Sequence, residues 1–408
     1  MRKSIIAVLA AGVALGLAAC GSAGTPATTP ATTSPSAAPS AAGTLTIWTD
    51  ETRVDAFKQL GADFSKTSGV TLDVVQKPTD DVKKDFIAQA PTGEGPDLIV
   101  GAHDWTGELI SNGLIAPIEL GDKGKLADNA VAAFNYEGSL YGVPYAIENI
   151  ALVRNNKLAQ DTPATFDALV AQAKATGAEF PAIIQVGDNG DAYHMYPIQT
   201  SFGAPVFKMD ASGAYTKELG MAGPEGDAFA TYLKKLATEK VVSTSMGGDQ
   251  AKQAFLDGKS PYMITGPWNT SAFTKAGMDI SVLPVPSAGG KPSAPFLGVQ
   301  GVYLSSKSNN GILANQVLDY MATTEAQQKL FDLGGRVPAD TSVAAKITDK
   351  LLAGFAEAGK DGQPMPTIKE MGSVWNHWGA AEVSIINGQA ADPVAAWKTM
   401  NDNIKAGF

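Results

Sequence analysis

Apolar residues follow two alternating spacings after residue 44, and this pattern predicts a sheet covered by helices. Residues 45–48 form a short apolar run that is typical of a strand. The next apolar residues recur at the spacing of one helix face, at Val54, Phe57, Leu60 and Phe64. We expect this helix to end at Gly69.

A second helix lies between two further predicted strands. Residues 71–75 and 97–100 have strand patterns, and residues 82–90 have a helical one. The order β-α-β-α-β predicts a parallel, doubly wound α/β sheet with right-handed crossovers. Ligands collect beyond the carboxyl ends of such strands. The candidates there are Asp50, Glu51, Arg53, His103, Asp104 and Trp105.

Two extended segments later in the chain predict passages between lobes. Residues 144–154 are extended and lead into a helix around residues 166–173 that Pro163 initiates. Residues 261–265 read as a strand, and residues 298–305 as a second crossing segment. No internal repeat of fixed period is present.

The chain begins with a pattern typical of an export signal. Arg2 and Lys3 precede the small and apolar residues 4–17, which are too few to span a bilayer as a helix. Cys20 is the only cysteine and lies just after this run, behind Ala18 and Ala19. Residues 1–19 resemble a bacterial lipoprotein signal, which is cut before a cysteine that then receives a diacylglyceryl group. The alternative is an ordinary secretory signal with an incidental cysteine.

The residues after the signal predict a tether and then a large acidic body. Residues 21–43 contain only Gly, Ser, Thr, Ala and Pro, so we expect residues 20–43 to be a lipidated, disordered tether. Residues 44–408 exceed what one core usually serves, which predicts two domains, and they contain no cysteine. The formal net charge of −10 argues against nucleic acid as a partner. No further apolar stretch is long enough to cross a bilayer.

Four segments carry a family resemblance. They are residues 92–104 (TGEGPDLIVGAHD), 142–144 (GVP), 265–268 (TGPW) and 296–299 (FLGV). In order and spacing they resemble the maltose/maltodextrin-binding proteins of ABC importers, from about Leu45 to the C-terminus. The resemblance implies a type II periplasmic-binding-protein fold, in which two doubly wound lobes joined by a hinge close over a sugar.

The resemblance and the crossing segments together predict the domains, partners and location. Lobe 1 is expected at 44–147 plus about 301–347, and lobe 2 at 148–300 plus about 348–408. The expected partners are an oligosaccharide, the transmembrane subunits of an ABC permease, and the membrane through the lipid on Cys20. The protein is then a monomer on the extracytoplasmic face of the bacterial membrane, without a cofactor.

The resemblance also implies ligand-binding residues. Asp104 and Glu148 match acids that bind sugar hydroxyls, Asp191 and Tyr193 match an acid and a ring on the second lobe, and Trp268 and Trp375 match stacking indoles. Asp50 and Arg53 match a polar and a basic position after the first strand, and Trp105 is added because it follows the third strand. Carboxylates accept strong hydrogen bonds from hydroxyls, Arg donates several, and indoles suit the apolar faces of pyranoses.

Each assignment has a structural alternative. Trp48 belongs to a strand, and we expect it in the core. Trp375 and Trp378 are three apart on one predicted helix, so both could face the core. Asp104 and Glu148 could be helix caps or surface ion pairs, and Asp191 could lie in a solvated turn.

The chain departs from the best-known maltose binders at three positions. Gly101 replaces a tryptophan, Gly379 replaces an arginine, and Trp105 replaces a basic residue. The sugar is therefore left open among maltodextrins, maltotriose, trehalose and cyclic glucans.

Other function classes have less support. A membrane-anchored glycosidase would need two acids on one glycosidic bond, one of them with a raised pKa. The three histidines, His103, His194 and His377, are far apart and match no zinc motif, so we expect no metal. Residues 138–142 do not form a G-x-S-x-G elbow and residues 93–95 lack the third glycine of a dinucleotide motif, so we expect no catalysis. An adhesin would leave the tryptophans of the expected cleft unexplained.

Overall fold

A computed structural model describes residues 43–121, 125–211 and 213–408. The predicted signal, Cys20 and the predicted tether as far as residue 42 lie outside these residues. Gly43, the last residue of that predicted tether, is the first residue of a strand. Among the described residues, no helix is both long and apolar enough to cross a membrane.

Strands and helices are interspersed along the chain. The strands are β1 (Gly43–Asp50), β2 (Val70–Lys77), β3 (Leu98–Ala102), β4 (Ile115–Ala116), β5 (Asn135–Tyr136), β6 (Ser139–Leu140), β7 (Gly142–Glu148), β8 (Ala151–Asn155), β9 (Ile183–Ile184), β10 (Phe207–Met209), β11 (Tyr215–Leu219), β12 (Tyr262–Thr265), β13 (Ile280–Leu283), β14 (Phe296–Ser305), β15 (Val337–Pro338) and β16 (Gln363–Pro364). The helices are α1 (Val54–Ser68), α2 (Thr79–Gln89), α3 (Thr106–Ser111), α4 (Asp128–Ala133), α5 (Phe166–Ala175), α6 (Ala192–Ser201), α7 (Pro224–Thr238), α8 (Gly248–Leu256), α9 (Thr270–Lys275), α10 (Gly311–Met321), α11 (Thr324–Gly334), α12 (Thr341–Ala344), α13 (Lys350–Ala358), α14 (Val374–Ile386) and α15 (Pro393–Ala406).

The first sheet has the strand order β15-β7-β14-β3-β1-β2, with β4 and β16 pairing with β14. Strand β1 pairs in parallel with both β2 and β3, which confirms the predicted β-α-β-α-β arrangement. The apolar face of α1 is buried on this sheet, and Gly69 ends the helix in the left-handed conformation at φ 74°. Strand β14 is antiparallel to both β3 and β7.

The second sheet has the order β13-β8-β12-β9. It is mixed, because β8 is antiparallel to β12 and β13, whereas β12 and β9 are parallel. One core cluster packs helices α5, α6, α7, α14 and α15 against this sheet. A smaller cluster, with α8 and α13, covers other side chains of β8, β12 and β13. A separate cluster belongs to the first sheet.

The chain passes from the first sheet to the second between Glu148 and Ala151, and returns between Leu283 and Phe296. These passages lie in or beside the segments that the sequence marked as crossings. Asn149 is buried at the first passage and donates to the carbonyl of Phe355 on α13 over 3.0 Å. The exact lobe limits stay a prediction, and β14 runs across the predicted limit at residue 300.

Candidate functional site

Residues predicted to bind a ligand lie at the carboxyl ends of strands from both sheets. Asp50 ends β1, Asp104 follows β3, and Glu148 ends β7 in the first sheet. Trp268 follows β12 in the second sheet, within the short 3-10 helix Pro267–Asn269. This is the edge of an α/β sheet at which ligands collect.

Glu148 is the centre of a buried ionic network. Its Oε1 accepts from Nη2 of Arg53 over 3.4 Å and from the Gln300 amide over 2.8 Å. Its Oε2 accepts from Nε of Arg336 over 2.6 Å. Arg53 also pairs with Asp50, and its Nε donates to the hydroxyl of Tyr145 over 2.9 Å. Both carboxylates and both guanidinium groups are therefore partnered inside the protein.

The electrostatics of Asp50 and Arg53 fit this pairing. Burial acts to raise the pKa of Asp50, but Arg53, Arg336 and hydrogen bonds from Thr52 outweigh it and leave that pKa below its ordinary value. Burial acts to lower the pKa of Arg53, but the negative charge of Asp50 raises it overall. Both groups therefore remain ionised at neutral pH.

Arg336 contacts the candidate site residues and was not identified from the sequence. It follows Gly335, which ends α11 in the left-handed conformation at φ 66°, and its guanidinium lies 5.6 Å from the centre of the Trp268 ring. Its Nη2 donates to the hydroxyl of Thr52 over 2.9 Å. Arg336 lies 188 residues after Glu148 in the sequence, so no local motif indicates that the two are paired.

Asp104 and Trp375 form a direct contact. The indole Nε1 of Trp375 donates to Oδ2 of Asp104 over 2.8 Å. Oδ1 of Asp104 is buried and has no hydrogen-bond partner among the described residues. Burial raises the pKa of Asp104 despite the opposing effects of Lys83 and Trp375. A buried acceptor without a donor is unfavourable by about 1 to 3 kcal/mol, so this oxygen favours a ligand hydroxyl.

Asp191 follows a turn, as the sequence-based alternative expected, but its side chain caps a helix. It is the N-cap of α6: Oδ1 accepts from the backbone N–H of His194 over 3.0 Å. Its Oδ2 contacts Nδ1 of His194 at 2.9 Å and accepts from the Gln185 amide over 2.5 Å. Because Asp191 is already engaged, any ligand contact would be additional to these bonds. Nε2 of His194 is buried and unpartnered among the described residues.

Tyr193 lies within the electrostatic influence of the other site acids. Burial raises the pKa of its hydroxyl well above the ordinary value, and the charges of Glu148, Asp191 and Asp104 raise it further. Its ring is half-buried and stacks on Phe296 at a centroid distance of 6.4 Å. Tyr193 is thus a neutral hydroxyl beside several carboxylates.

The tryptophans differ in how deeply they are buried. Trp48 is buried, as predicted, with Nζ of Lys77 4.2 Å from the centre of its ring. Trp378 is fully buried, and its Nε1 donates to Gln199 over 3.1 Å. Trp105, Trp268 and Trp375 are only partly buried. Trp375 stacks on Trp378 with ring centres 5.6 Å apart.

Comparison with known proteins identifies the family. The family model described as bacterial extracellular solute-binding protein matches residues 54–357, which is most of the chain. The chain belongs to this family. A solute-binding protein of an extracellular family works outside the cytoplasm, which confirms the extracytoplasmic part of the predicted location.

Relatives of this solute-binding protein carry names that refer to oligosaccharides. The galactooligosaccharide-binding protein of Bacillus subtilis is 26% identical over 97% of this chain and 94% of its own length. A maltooligosaccharide ABC transporter solute-binding lipoprotein of Streptococcus pneumoniae is 26% identical over 86% of each chain. These relatives confirm the resemblance to maltodextrin-binding proteins.

A solved structure supports the fold. The maltotriose binding protein of Thermus thermophilus, bound with maltotriose, matches with a TM-score of 0.81 and 31% identity over 89% of this chain and 99% of that chain. The predicted two-lobed, type II α/β fold is thereby confirmed for this solute-binding protein.

Helix α14 approaches the turn before Asp191 very closely. A β-carbon at Gly190, which has φ +77°, would lie 2.4 Å from the carbonyl oxygen of Gly379, and one at Gly379 would lie 2.3 Å from the oxygen of Asn189. The absence of an arginine at 379 therefore has a steric reason: no side chain fits between these backbones.

This close approach places Glu382 against Asp191. Glu382 is fully buried on α14, and neither of its carboxyl oxygens has a side-chain partner among the described residues. Burial raises the pKa of Glu382 well above its ordinary value of 4.5, and the charge of Asp191 raises it further. Helical spacing alone did not distinguish Glu382 from a solvent-exposed residue.

Glu382→Gln is expected to alter how stability depends on pH. The folded protein holds the Glu382 proton more tightly than the unfolded chain, so its stabilising effect is present below about pH 4.5 and is lost as pH rises. This loss has a limiting slope of about 1.4 kcal/mol per pH unit. Urea unfolding at several values between pH 5 and 8 should show the variant gaining stability relative to wild type as pH rises. The exposed Glu225→Gln should follow wild type, and a constant difference for Glu382→Gln would contradict the prediction.

In the part of the chain that the structure describes, no group of three or more His, Cys, Asp or Glu side chains is arranged to hold a metal ion. His103 is buried between backbone groups: its ring nitrogens contact Met365 O and Val299 N at 3.1 Å each.

Proposed function

We propose that this extracellular solute-binding protein captures a maltodextrin-type oligosaccharide between its two lobes and delivers it to an ABC transporter. The observation that carries the proposal is the Asp104–Trp375 pair. It joins the end of a first-sheet strand to a helix of the second-sheet core, and it leaves one buried carboxylate oxygen without a donor.

The side chains at the strand ends supply complementary chemistry for a sugar. Asp104 and Glu148 are acceptors for hydroxyl groups, whereas Arg53 and Arg336 are donors in planar forks. The partly buried indoles of Trp105, Trp268 and Trp375 offer apolar faces for pyranose rings. The proposed ligand-binding set is Asp50, Arg53, Asp104, Trp105, Glu148, Asp191, Tyr193, Trp268 and Trp375, with Arg336 added.

Two hydrogen bonds between the first-sheet part and the second-sheet part of the protein indicate how the lobes would close on the sugar. Besides the Asp104–Trp375 bond, the amide of Asn189 donates to Asp80 at the start of α2 over 3.2 Å. Such bonds form only when the lobes are close together, so they would stabilise a closed state around the sugar. A hinge closure of this kind creates the shape that a permease recognises.

The remaining parts of the proposal concern attachment and chemistry. Lipidation at Cys20 would tether the monomeric protein to the outer face of the membrane, because a diacylglyceryl group gives stable anchoring. We propose that the protein binds without catalysis, since its named relatives are binding proteins. The relatives differ in their named sugars, so the chain length and linkage are matters for measurement.

Calorimetry tests the function directly. Residues 44–408 are titrated with maltose, maltotriose, a longer maltodextrin, trehalose and a cyclodextrin, and each mixture is then checked for cleavage. Saturable binding of one α-glucan without cleavage is expected. Cleavage would instead support a glycosidase, and binding of none of these sugars would contradict an α-glucan receptor.

Trp268→Ala tests whether the proposed cleft holds the sugar. We expect an affinity loss of about 1 to 3 kcal/mol with maltotriose, because the variant removes one apolar sugar-facing ring. Trp48→Phe, a change in the core of the first sheet, is the control and should bind as wild type does. Unchanged affinity of Trp268→Ala would exclude the ring from the site.

A further inference from the structure

Two partly buried tryptophans of the site each lie against a glycine at the end of a strand. A β-carbon built on Gly101, in β3, would lie 2.1, 2.3 and 2.9 Å from Cζ3, Cε3 and Cη2 of Trp105. A β-carbon built on Gly266, directly after β12, would lie 2.1, 2.5 and 2.2 Å from the same three atoms of Trp268. The six-membered part of each indole therefore covers the α-carbon of its glycine.

These contacts have a steric consequence. Real β-carbons essentially never approach a heavy atom within 3.0 Å, so a side chain at 101 and the present position of the Trp105 ring exclude each other. The same holds for Gly266 and Trp268. Neither glycine has the positive φ that would itself demand glycine. Space for the ring is thus the requirement that the structure shows at both positions.

Gly101 lies in a strand of the first sheet and Gly266 directly follows a strand of the second, and both are at the carboxyl ends at which the proposed site lies. An indole with one face against the backbone has only its other face free for a ligand. Its orientation is also limited, because the backbone beneath it is held by strand pairing: Gly101 pairs with Gly301 of β14.

We infer that Gly101 and Gly266 are positioning residues for sugar binding, a conclusion that rests on the proposed function. Each glycine acts through its tryptophan by allowing the ring to lie flat at the strand end, so that one aromatic face from each sheet is presented to the sugar. Two of the differences from the maltose binders, glycine in place of tryptophan at 101 and tryptophan in place of a basic residue at 105, are then coupled. The indole of Trp105 occupies the space that a side chain at 101 would fill.

A double-mutant cycle tests this coupling with maltotriose as the probe. Gly101→Ala and Trp105→Ala are each expected to weaken binding about tenfold, which corresponds to the loss of one ring contact of about 1.4 kcal/mol. The double variant should bind no more weakly than Trp105→Ala alone, because the alanine at 101 has no ring left to displace. A merely structural role for Gly101 would give losses that add.

The control is Gly311→Ala, because a β-carbon at Gly311 meets nothing within 4 Å, and it should bind as wild type does. Thermal unfolding checks that each variant folds. If Gly101→Ala fails to fold, the cycle is made with Gly266→Ala and Trp268→Ala.

The outcomes separate the two levels of the proposal. Unchanged affinity of Trp105→Ala would show that this ring does not touch the sugar, which contradicts that part of the proposed function. The inference would be overturned if Trp105→Ala lowered the affinity for maltotriose while Gly101→Ala left it unchanged. Additive losses of affinity in the double variant would overturn it as well. Both outcomes would leave the sugar site in place. A wild-type protein that fails to bind any sugar of the calorimetry panel would overturn both.

Discussion

Glu148→Ala is expected to lower the free energy of unfolding by about 3 to 5 kcal/mol. The carboxylate is buried and contacts Arg53, Arg336 and Gln300. Its removal leaves Arg336, with only 4% of its side chain exposed, without its carboxylate partner. A buried cation that has lost its partner cannot recover its hydration, so the loss is large. Urea unfolding at neutral pH measures it.

A matched exposed pair provides the control. Lys208 and Glu218 are paired on the hairpin of β10 and β11, with 53% and 65% of their side chains exposed. Glu218→Ala should change the unfolding free energy by about 1 kcal/mol or less. If Glu148→Ala were as mild as this control, Arg336 and Arg53 would have to be hydrated, and the buried network would be refuted.

Trp378 and Trp375 lie on one helix, but their replacement by alanine is expected to affect different properties: stability for Trp378 and sugar binding for Trp375. Trp378 is fully buried, so its truncation should reduce the unfolding free energy by about 3 to 5 kcal/mol. Trp375 is partly exposed and hydrogen-bonded to Asp104, so its truncation should mainly weaken sugar binding, by about 1 to 3 kcal/mol. Urea unfolding and calorimetry on the same preparations measure the two effects.

Trp375→Phe adds a finer control, because it keeps an aromatic face and removes the N–H that Asp104 accepts. We expect it to retain more affinity than Trp375→Ala. A Trp375→Ala variant that loses stability as severely as Trp378→Ala, with affinity unchanged, would place both rings in the core and remove Trp375 from the site.

The first half of the first sheet could be predicted because its pattern is local. The apolar spacing from Val54 to Phe64 and the glycine that follows specify α1 and its end within a few residues. The residues after β1 and β3 were found because parallel strands bring their carboxyl ends to one edge. The second sheet was harder to predict from the sequence, because its mixed strand order depends on the pairing of β8 with β12 and β13, which are remote from it in sequence.

The candidate site could likewise be predicted only where its residues lie in local motifs. Asp104 and Trp375 were named from motifs, yet the hydrogen bond between them joins residues 271 positions apart. Arg336 and Glu382 carried no motif, and only their tertiary neighbours distinguish them from surface charges. Gly101 was noted as a departure, but the ring that covers it became visible only in three dimensions.

If the proposed site is right, the charges of the ionic network around Glu148 bear on which sugars bind. Asp50 and Glu148 carry two negative charges, and Arg53 and Arg336 carry two positive ones, so this cluster is neutral before any solute arrives. An uncharged carbohydrate can exchange hydrogen bonds with it and leave that neutrality intact. A phosphorylated or carboxylated carbohydrate would bring a charge without a counter-ion into a dehydrated space. On the proposed function, the cluster would therefore discriminate against charged sugars by their formal charge.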